Sequence, residues 1–140
     1  MADTFEGGCA CGAIRYVCSG TPVASFNCHC RSCQRFTGSA FMSGVVVSAD
    51  GYRITRGEPR YYTRQGDSGG EISRGFCGAC GSPVVGRLSR MPNVVAVPAA
   101  SLDDPSWHKP MFDMFTSHAQ PWDHMDPDLP KFPDAPPLPR

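Results

Sequence analysis

The segment Cys28-His29-Cys30-Arg31-Ser32-Cys33 sets three sulfurs at C-x-C-x-x-C spacing, close enough for one short turn to aim all of them at a single metal ion. A structural zinc normally has four protein ligands, whereas a catalytic zinc has three and keeps one place for water or substrate. Three cysteines in one turn therefore predict an open zinc site on Cys28, Cys30 and Cys33. Two further half-sites lie far apart in the chain, Cys9 with Cys11 (C-x-C) and Cys77 with Cys80 (C-x-x-C). Together they make a complete four-cysteine shell, expected to be a structural zinc that cross-links an N-terminal turn to a knuckle in the second half of the chain. Spacing alone leaves open the alternative in which the knuckle takes its partners from the central cluster.

The eighth cysteine, Cys18, shares one side of an alternating segment with Ile14 and Tyr16 and is expected to pack as a small hydrophobe. As a fourth ligand it would instead close the central site and end its chemistry. His29 lies between two presumed ligands, where an extended chain turns its ring away from the metal, so a supporting or packing role is expected. Three thiolates around Zn²⁺ leave the site net negative. Such a site is a weaker Lewis acid than zinc on three imidazoles and suits holding a soft thiolate better than making hydroxide. A thiol bound there stays deprotonated at neutral pH and is the attacking species. A neighbouring small aldehyde would be captured as a hemithioacetal, so the ligand set favours carbon–sulfur chemistry. Iron is also compatible with tetrahedral thiolates.

These turns need elements to hold them. Ala13–Cys18, Ala24–Asn27, Phe41–Val47, Tyr52–Thr55, Arg60–Thr63, Glu71–Phe76, Pro83–Leu88, Asn93–Val97 and Met111–Thr116 read as strands, from alternation or β-branched runs bounded by turn residues. Arg31–Phe36 suits one or two helical turns stopped at Thr37-Gly38. Gly12 and Gly81 follow cysteine turns and permit the positive φ that points backbone N–H groups at sulfur. Ser101 is a possible helix cap, and Gln65–Gly70 reads as a flexible loop. No segment sustains a 3.6-residue apolar period over three turns, so the fold class is mostly β. The last twenty residues hold seven of the fourteen prolines and read as an extended tail.

The 140 residues have a hydrophobic fraction of 41%, which fits one globular domain helped by metal. Formal net charge is zero but uneven: residues 31–90 carry nine Arg against four acids, and residues 91–140 carry three basic residues against seven Asp. The arginines are scattered among apolar positions, the pattern of solvated strand faces, without the concentrated stripe of a nucleic-acid interface. The start, MADTFEGGC, has neither a basic nor an apolar leader region, and no run of ~18 apolar residues suggests a membrane span. The expected location is the cytoplasm, where thiols stay reduced and cysteine clusters read as metal or catalytic sites.

The succession GGCACGAIRY, NCHCRSCQRFTG, RGFCGACGSP, SLDDPS and PWDHMDPDLPKF resembles the glutathione-dependent formaldehyde-activating family (GFA, or centromere protein V/GFA domain). The resemblance runs from about Gly7 to Phe132. It implies a β-tent fold of several small coiled antiparallel sheets, zinc-stabilised, with one domain over 1–132 and a proline-rich tail over 133–140. It also implies two zinc ions per chain, a structural one on Cys9, Cys11, Cys77 and Cys80 and a catalytic one on Cys28, Cys30 and Cys33, with no ligand role for Cys18. The implied activity is that of a carbon–sulfur lyase making or cleaving S-hydroxymethylglutathione, with a small thiol and an aldehyde as partners. Arg31 and Arg35 would hold carboxylates of a glutathione-like molecule bidentately, or remain ordinary solvated arginines. Members often carry His near Asp113, and Ser followed by a basic residue near His118 and Ala119, so this ligand can differ from glutathione. His118 is either an acid–base group or a plain surface or core residue. Trp122 is expected to anchor the tail, and Phe36, Phe41 and Phe76 to shield the metal turns. The rival reading is a non-catalytic zinc module for a protein or nucleic-acid partner.

Overall fold

The computed structural model describes residues 4–66 and 69–137. Its strands are β1 (Thr4–Gly8), β2 (Arg15–Ser19), β3 (Ala24–Cys28), β4 (Met42–Ser48), β5 (Tyr52–Arg56), β6 (Arg60–Gln65), β7 (Glu71–Phe76), β8 (Pro83–Leu88), β9 (Val94–Pro98), β10 (Asp113–Met114) and β11 (Lys131–Phe132). One α-helix among the described residues, α1 (Arg31–Thr37), follows β3. The chain is mostly β, as its periodicity predicts. A three-stranded sheet has the order β1-β2-β5, and a larger sheet runs β11-β10-β3-β4-β9-β8-β7-β6. The larger sheet narrows to the single pair Gly86↔Ala96 between β8 and β9. Pairing is antiparallel except at β10, which runs parallel to both β3 and β11.

Alternation along the strands builds two cores on opposite faces of the large sheet. Val45 and Val47 of β4 and Val95 and Val97 of β9 join Tyr16, Cys18 and Tyr52 of the smaller sheet in the first core. The intervening Met42, Val46 and Ala96 belong to the second core, with Phe26 and the three central cysteines. Each fully buried Val contributes roughly 1.5–3 kcal/mol by leaving water. The first core thus holds the sheets together while the second positions the turn that bears Cys28, Cys30 and Cys33.

Several elements depart from the sequence expectation. β1 is not foreseen by propensity, which Gly7 and Gly8 lower. A Cβ at Gly7 would lie 2.3 Å from both Tyr16 Oη and Ser101 O, so tertiary packing, not propensity, requires glycine there. The Met111–Thr116 strand shortens to Asp113–Met114 because Phe115 turns into the left-handed region at φ 54. Ser101 ends a 3-10 turn, Ala99–Ser101, donating to Pro98 O at 2.7 Å, and does not cap a helix start. Of the expected Gln65–Gly70 loop, residues 67–68 lie outside the described residues; its flanks close a β6–β7 hairpin through Gln65↔Glu71. Trp122 is 62% exposed, so it does not anchor the tail. Phe132 and Lys131 do: Phe132 meets Phe112 edge-to-face at 5.6 Å, and Lys131 Nζ reaches Asp113 Oδ2 at 2.9 Å.

Candidate metal centres

The N-terminal turn and the distant knuckle meet. Sγ of Cys9 and Cys11 are 3.7 Å apart, and those of Cys11 and Cys77 are 3.8 Å apart. Cys9, Cys11, Cys77 and Cys80 have their sulfurs all within 4.8 Å of one another. A tetrahedral ion with ~2.3 Å bonds to sulfur sets its ligands about 3.8 Å apart, so this group fits zinc. Backbone N–H groups point at the sulfurs, from Ile14 to Cys9 Sγ at 3.1 Å and from Ala79 to Cys77 Sγ at 3.4 Å. Gly12 and Gly81 hold φ of 80 and 81 and donate back to Cys9 O and Cys77 O, as the turn chemistry predicts. Ser82 Oγ links the halves, accepting from Ala10 N at 3.0 Å and lying 3.2 Å from Cys80 Sγ.

On the other face of the large sheet, Cys28 ends β3, Cys30 is the N-cap of α1, and Cys33 lies in its first turn. Cys30 Sγ accepts from Cys33 N at 3.3 Å, and Gly38 closes the helix in the left-handed region at φ 70. The three buried sulfurs lie within 4.8 Å of one another, and among the described residues no fourth Cys, His, Asp or Glu atom joins them. Hydrogen bonds from Cys28 and Cys33 hold the Cys30 thiol well below its ordinary range, whereas its contact with Cys30 pushes Cys28 up. Three thiols this close cannot all ionise unaided, so a full thiolate triad requires a cation.

Cys18 stands apart from both groups. It is fully buried in the first core, and burial pushes its thiol up to about 12. His29 lies between Cys28 and Cys30 but turns away from their sulfurs, as expected. Its Nε2 is 2.8 Å from Asp113 Oδ1 and its Nδ1 2.5 Å from Asp123 Oδ2, with Phe41 at 5.1 Å from the ring. Burial pushes the Asp113 carboxyl up, but hydrogen bonds from Lys131, His29 and Asn27 outweigh it and hold it below the usual carboxylate range.

A cavity of about 90 Å³ opens beside the central sulfurs, walled by Phe26, Met42, Met114 and Phe115 and by two arginines, Arg64 and Arg74. Arg31 and Arg35 are not among its lining residues. Both are exposed on α1, where Arg31 bonds Gln34. Arg74 is 6% exposed; its Nη2 donates to Ser32 Oγ at 3.0 Å and lies 3.5 Å from Cys33 Sγ, and its guanidinium sits 5.2 Å from the Phe36 ring centroid. The sequence carries a signal for Arg74: it interrupts the apolar face Ile72-x-x-x-Phe76 of an alternating strand. His118 does not line the cavity; its backbone carbonyl accepts from Gln34 Nε2 at 3.1 Å. No helix among the described residues is long and apolar enough to cross a membrane.

A mostly β chain with one four-cysteine and one three-cysteine cluster belongs to the class of small β proteins whose cysteine clusters could hold metal ions. A family model described as glutathione-dependent formaldehyde-activating enzyme (GFA) matches residues 4–118, and the chain is therefore a member of that family. A crystal structure of a Rhodobacter sphaeroides protein shares the fold, with a TM-score of 0.56 at 21% identity over 70% of this chain and 87% of that one. Comparison with curated proteins gives no match.

Proposed function

We propose that the chain is a zinc-dependent carbon–sulfur lyase of the GFA type, adding glutathione or a similar thiol to formaldehyde or another small aldehyde, or catalysing the reverse. The observation that carries this reading is the incomplete cluster: Cys28, Cys30 and Cys33 converge without a fourth protein ligand among the described residues, beside an accessible cavity. A purely structural site ordinarily closes its shell, as the Cys9, Cys11, Cys77 and Cys80 group is arranged to do.

Zinc on the three central cysteines would supply the charge that keeps an incoming thiol ionised. The chain's own residues supply the rest. Arg74 donates toward Cys33 Sγ and offsets part of the cluster's negative charge. Phe26, Met42 and Phe115 give the cavity an apolar wall, and a less polar surrounding strengthens electrostatic interactions within it. Sulfur bonds to the carbonyl carbon as the C=O π bond breaks, and the thiol's proton ends on the oxygen, so the adduct holds all atoms of both reactants. Reduced thiols of this kind suit a cytoplasmic setting.

The test is metal analysis of the purified chain followed by a thiol and aldehyde panel, scoring adduct formation above the spontaneous rate. The reading requires the loaded protein to accelerate the reaction and Cys30→Ser to lose that acceleration with one metal ion. Loaded protein that leaves the spontaneous rate unchanged would make this a non-catalytic metal-binding module.

A further inference from the structure

Arg74 and Arg64 carry charge that metal binding does not fully explain. Ile72, Arg74 and Phe76 alternate onto one face of β7, and cross-strand pairing sets Tyr62 opposite Arg74 and Arg64 opposite Ile72. Both arginines thus project from the same face, toward the cavity that they line with the central cysteines. A buried guanidinium ordinarily has a carboxylate partner. Arg74 has none among the described ion pairs, and its Nε is buried without any hydrogen-bond partner. The side chain of Arg64, half-buried on the edge strand, has no hydrogen bond or ion pair among the described residues. The cavity therefore pairs a cationic wall that has no carboxylate partner among the described residues with a cluster of sulfurs.

We propose that the thiol this site takes is a compact mercaptocarboxylate, with its sulfur at the Cys28, Cys30 and Cys33 cluster and its carboxylate on Arg74 and Arg64. The inference rests on reading that cluster as a thiol-binding metal site, and it adds the substrate class. Distance sets the class. Arg74 Nη2 is 3.5 Å from Cys33 Sγ, so a carboxylate on this guanidinium is separated by only a short carbon spacer from a sulfur held at the cluster. Glutathione carries its carboxylates at the far ends of a tripeptide, well away from sulfur. A cavity of about 90 Å³ suits a molecule of a few non-hydrogen atoms, whereas most of a tripeptide would extend beyond it. The apolar wall of Phe26, Met42 and Phe115 suits the spacer, and the arginine fork suits a planar carboxylate.

The experiment loads the full chain with cobalt(II) and follows its visible absorption on titration with 3-mercaptopropionate, its neutral methyl ester, and glutathione. The acid is expected to bind about tenfold or more tighter than the ester, as a charged hydrogen-bonded pair allows, and tighter than glutathione. Arg64→Gln is expected to reduce the acid's advantage while leaving the ester's affinity unchanged, and Arg74→Gln, which also removes a donor to Cys33 Sγ, is expected to lower the ratio of acid to ester affinity. Arg64 is on an edge strand, so its variant keeps the test valid if Arg74→Gln fails to fold. Equal binding of acid and ester would overturn the proposal, leaving thiol binding intact. Tighter binding of glutathione would overturn it in favour of a longer thiol held by the exposed Arg31 and Arg35. An acid preference unchanged in both variants would assign it to chelation of the metal and likewise overturn it. Cobalt spectra indifferent to every thiol would remove the thiol reading of the cluster and this inference together.

Discussion

Nε2 of His29 lies 2.8 Å from Oδ1 of Asp113, and both side chains are 1% exposed. This pair ties the turn bearing Cys28 and Cys30 to the C-terminal segment, since Asp113 also holds Lys131 of β11. Removing Asp113 leaves Nε2 of His29 buried without its partner, while Nδ1 keeps Asp123. Asp113→Ala should therefore cost about 1–3 kcal/mol, read from urea unfolding of the metal-loaded protein. A loss within the range of an ordinary surface substitution would show that the pair has no such role.

The same carboxylate sets a pH dependence. Its folded pKa is held below the ordinary value, so in the acid range the unfolded chain binds more protons, and stability rises with pH. The contribution is complete above the unfolded value of about 3.9 and is lost as pH falls through the folded one. Asp113→Asn should flatten the fall in stability below about pH 4 relative to the parent protein, measured as the difference between their urea midpoints at each pH. Parallel curves would count against this assignment.

Cysteine substitutions should divide into three outcomes, read by metal analysis and circular dichroism. Cys18→Ser should keep two zinc ions per chain, because its sulfur belongs to the first core. Cys30→Ser should lose one ion and remain folded. Cys77→Ser should lose the ion joining two distant turns and with it much of the fold, since structural zinc contributes on the order of 10 kcal/mol. Loss of an ion from Cys18→Ser would contradict the partition.

Gly44 lies under the ring that walls the cavity. A Cβ there would come 2.7 Å from Phe26 Cζ and 2.9 Å from its Cε1, so Gly44→Ala must displace Phe26. Overpacking of this kind costs about 1–3 kcal/mol, and the displaced ring should also weaken thiol binding in the cobalt titration. Unchanged affinity and stability would mean that the ring moves freely.

The C-terminal segment should be held by Phe132 and not by Trp122. Trp122→Ala, at a 62% exposed side chain, should change stability by less than about 0.5 kcal/mol. Phe132→Ala removes the edge-to-face contact with Phe112 and should cost about 1 kcal/mol or more. The reverse order in thermal unfolding would restore the tryptophan as the anchor.

The mostly β class and the division into four and three sulfurs are legible in the amino-acid sequence, from the alternation of its strands and the spacing of its cysteines. Both patterns are local: a C-x-C or C-x-x-C turn aims its own sulfurs, and a strand's period fixes which side chains share a face. Arg74 at Cys33, Asp113 at His29 and Gly7 beneath Tyr16 are decided only by tertiary structure. Each contact joins residues from separate elements, and sheet order and register, which no single segment encodes, determine what meets across the fold. The same reason explains why Arg31 and Arg35, neighbours of the cluster in sequence, are exposed on α1 while Arg64 and Arg74, from distant strands, line its cavity.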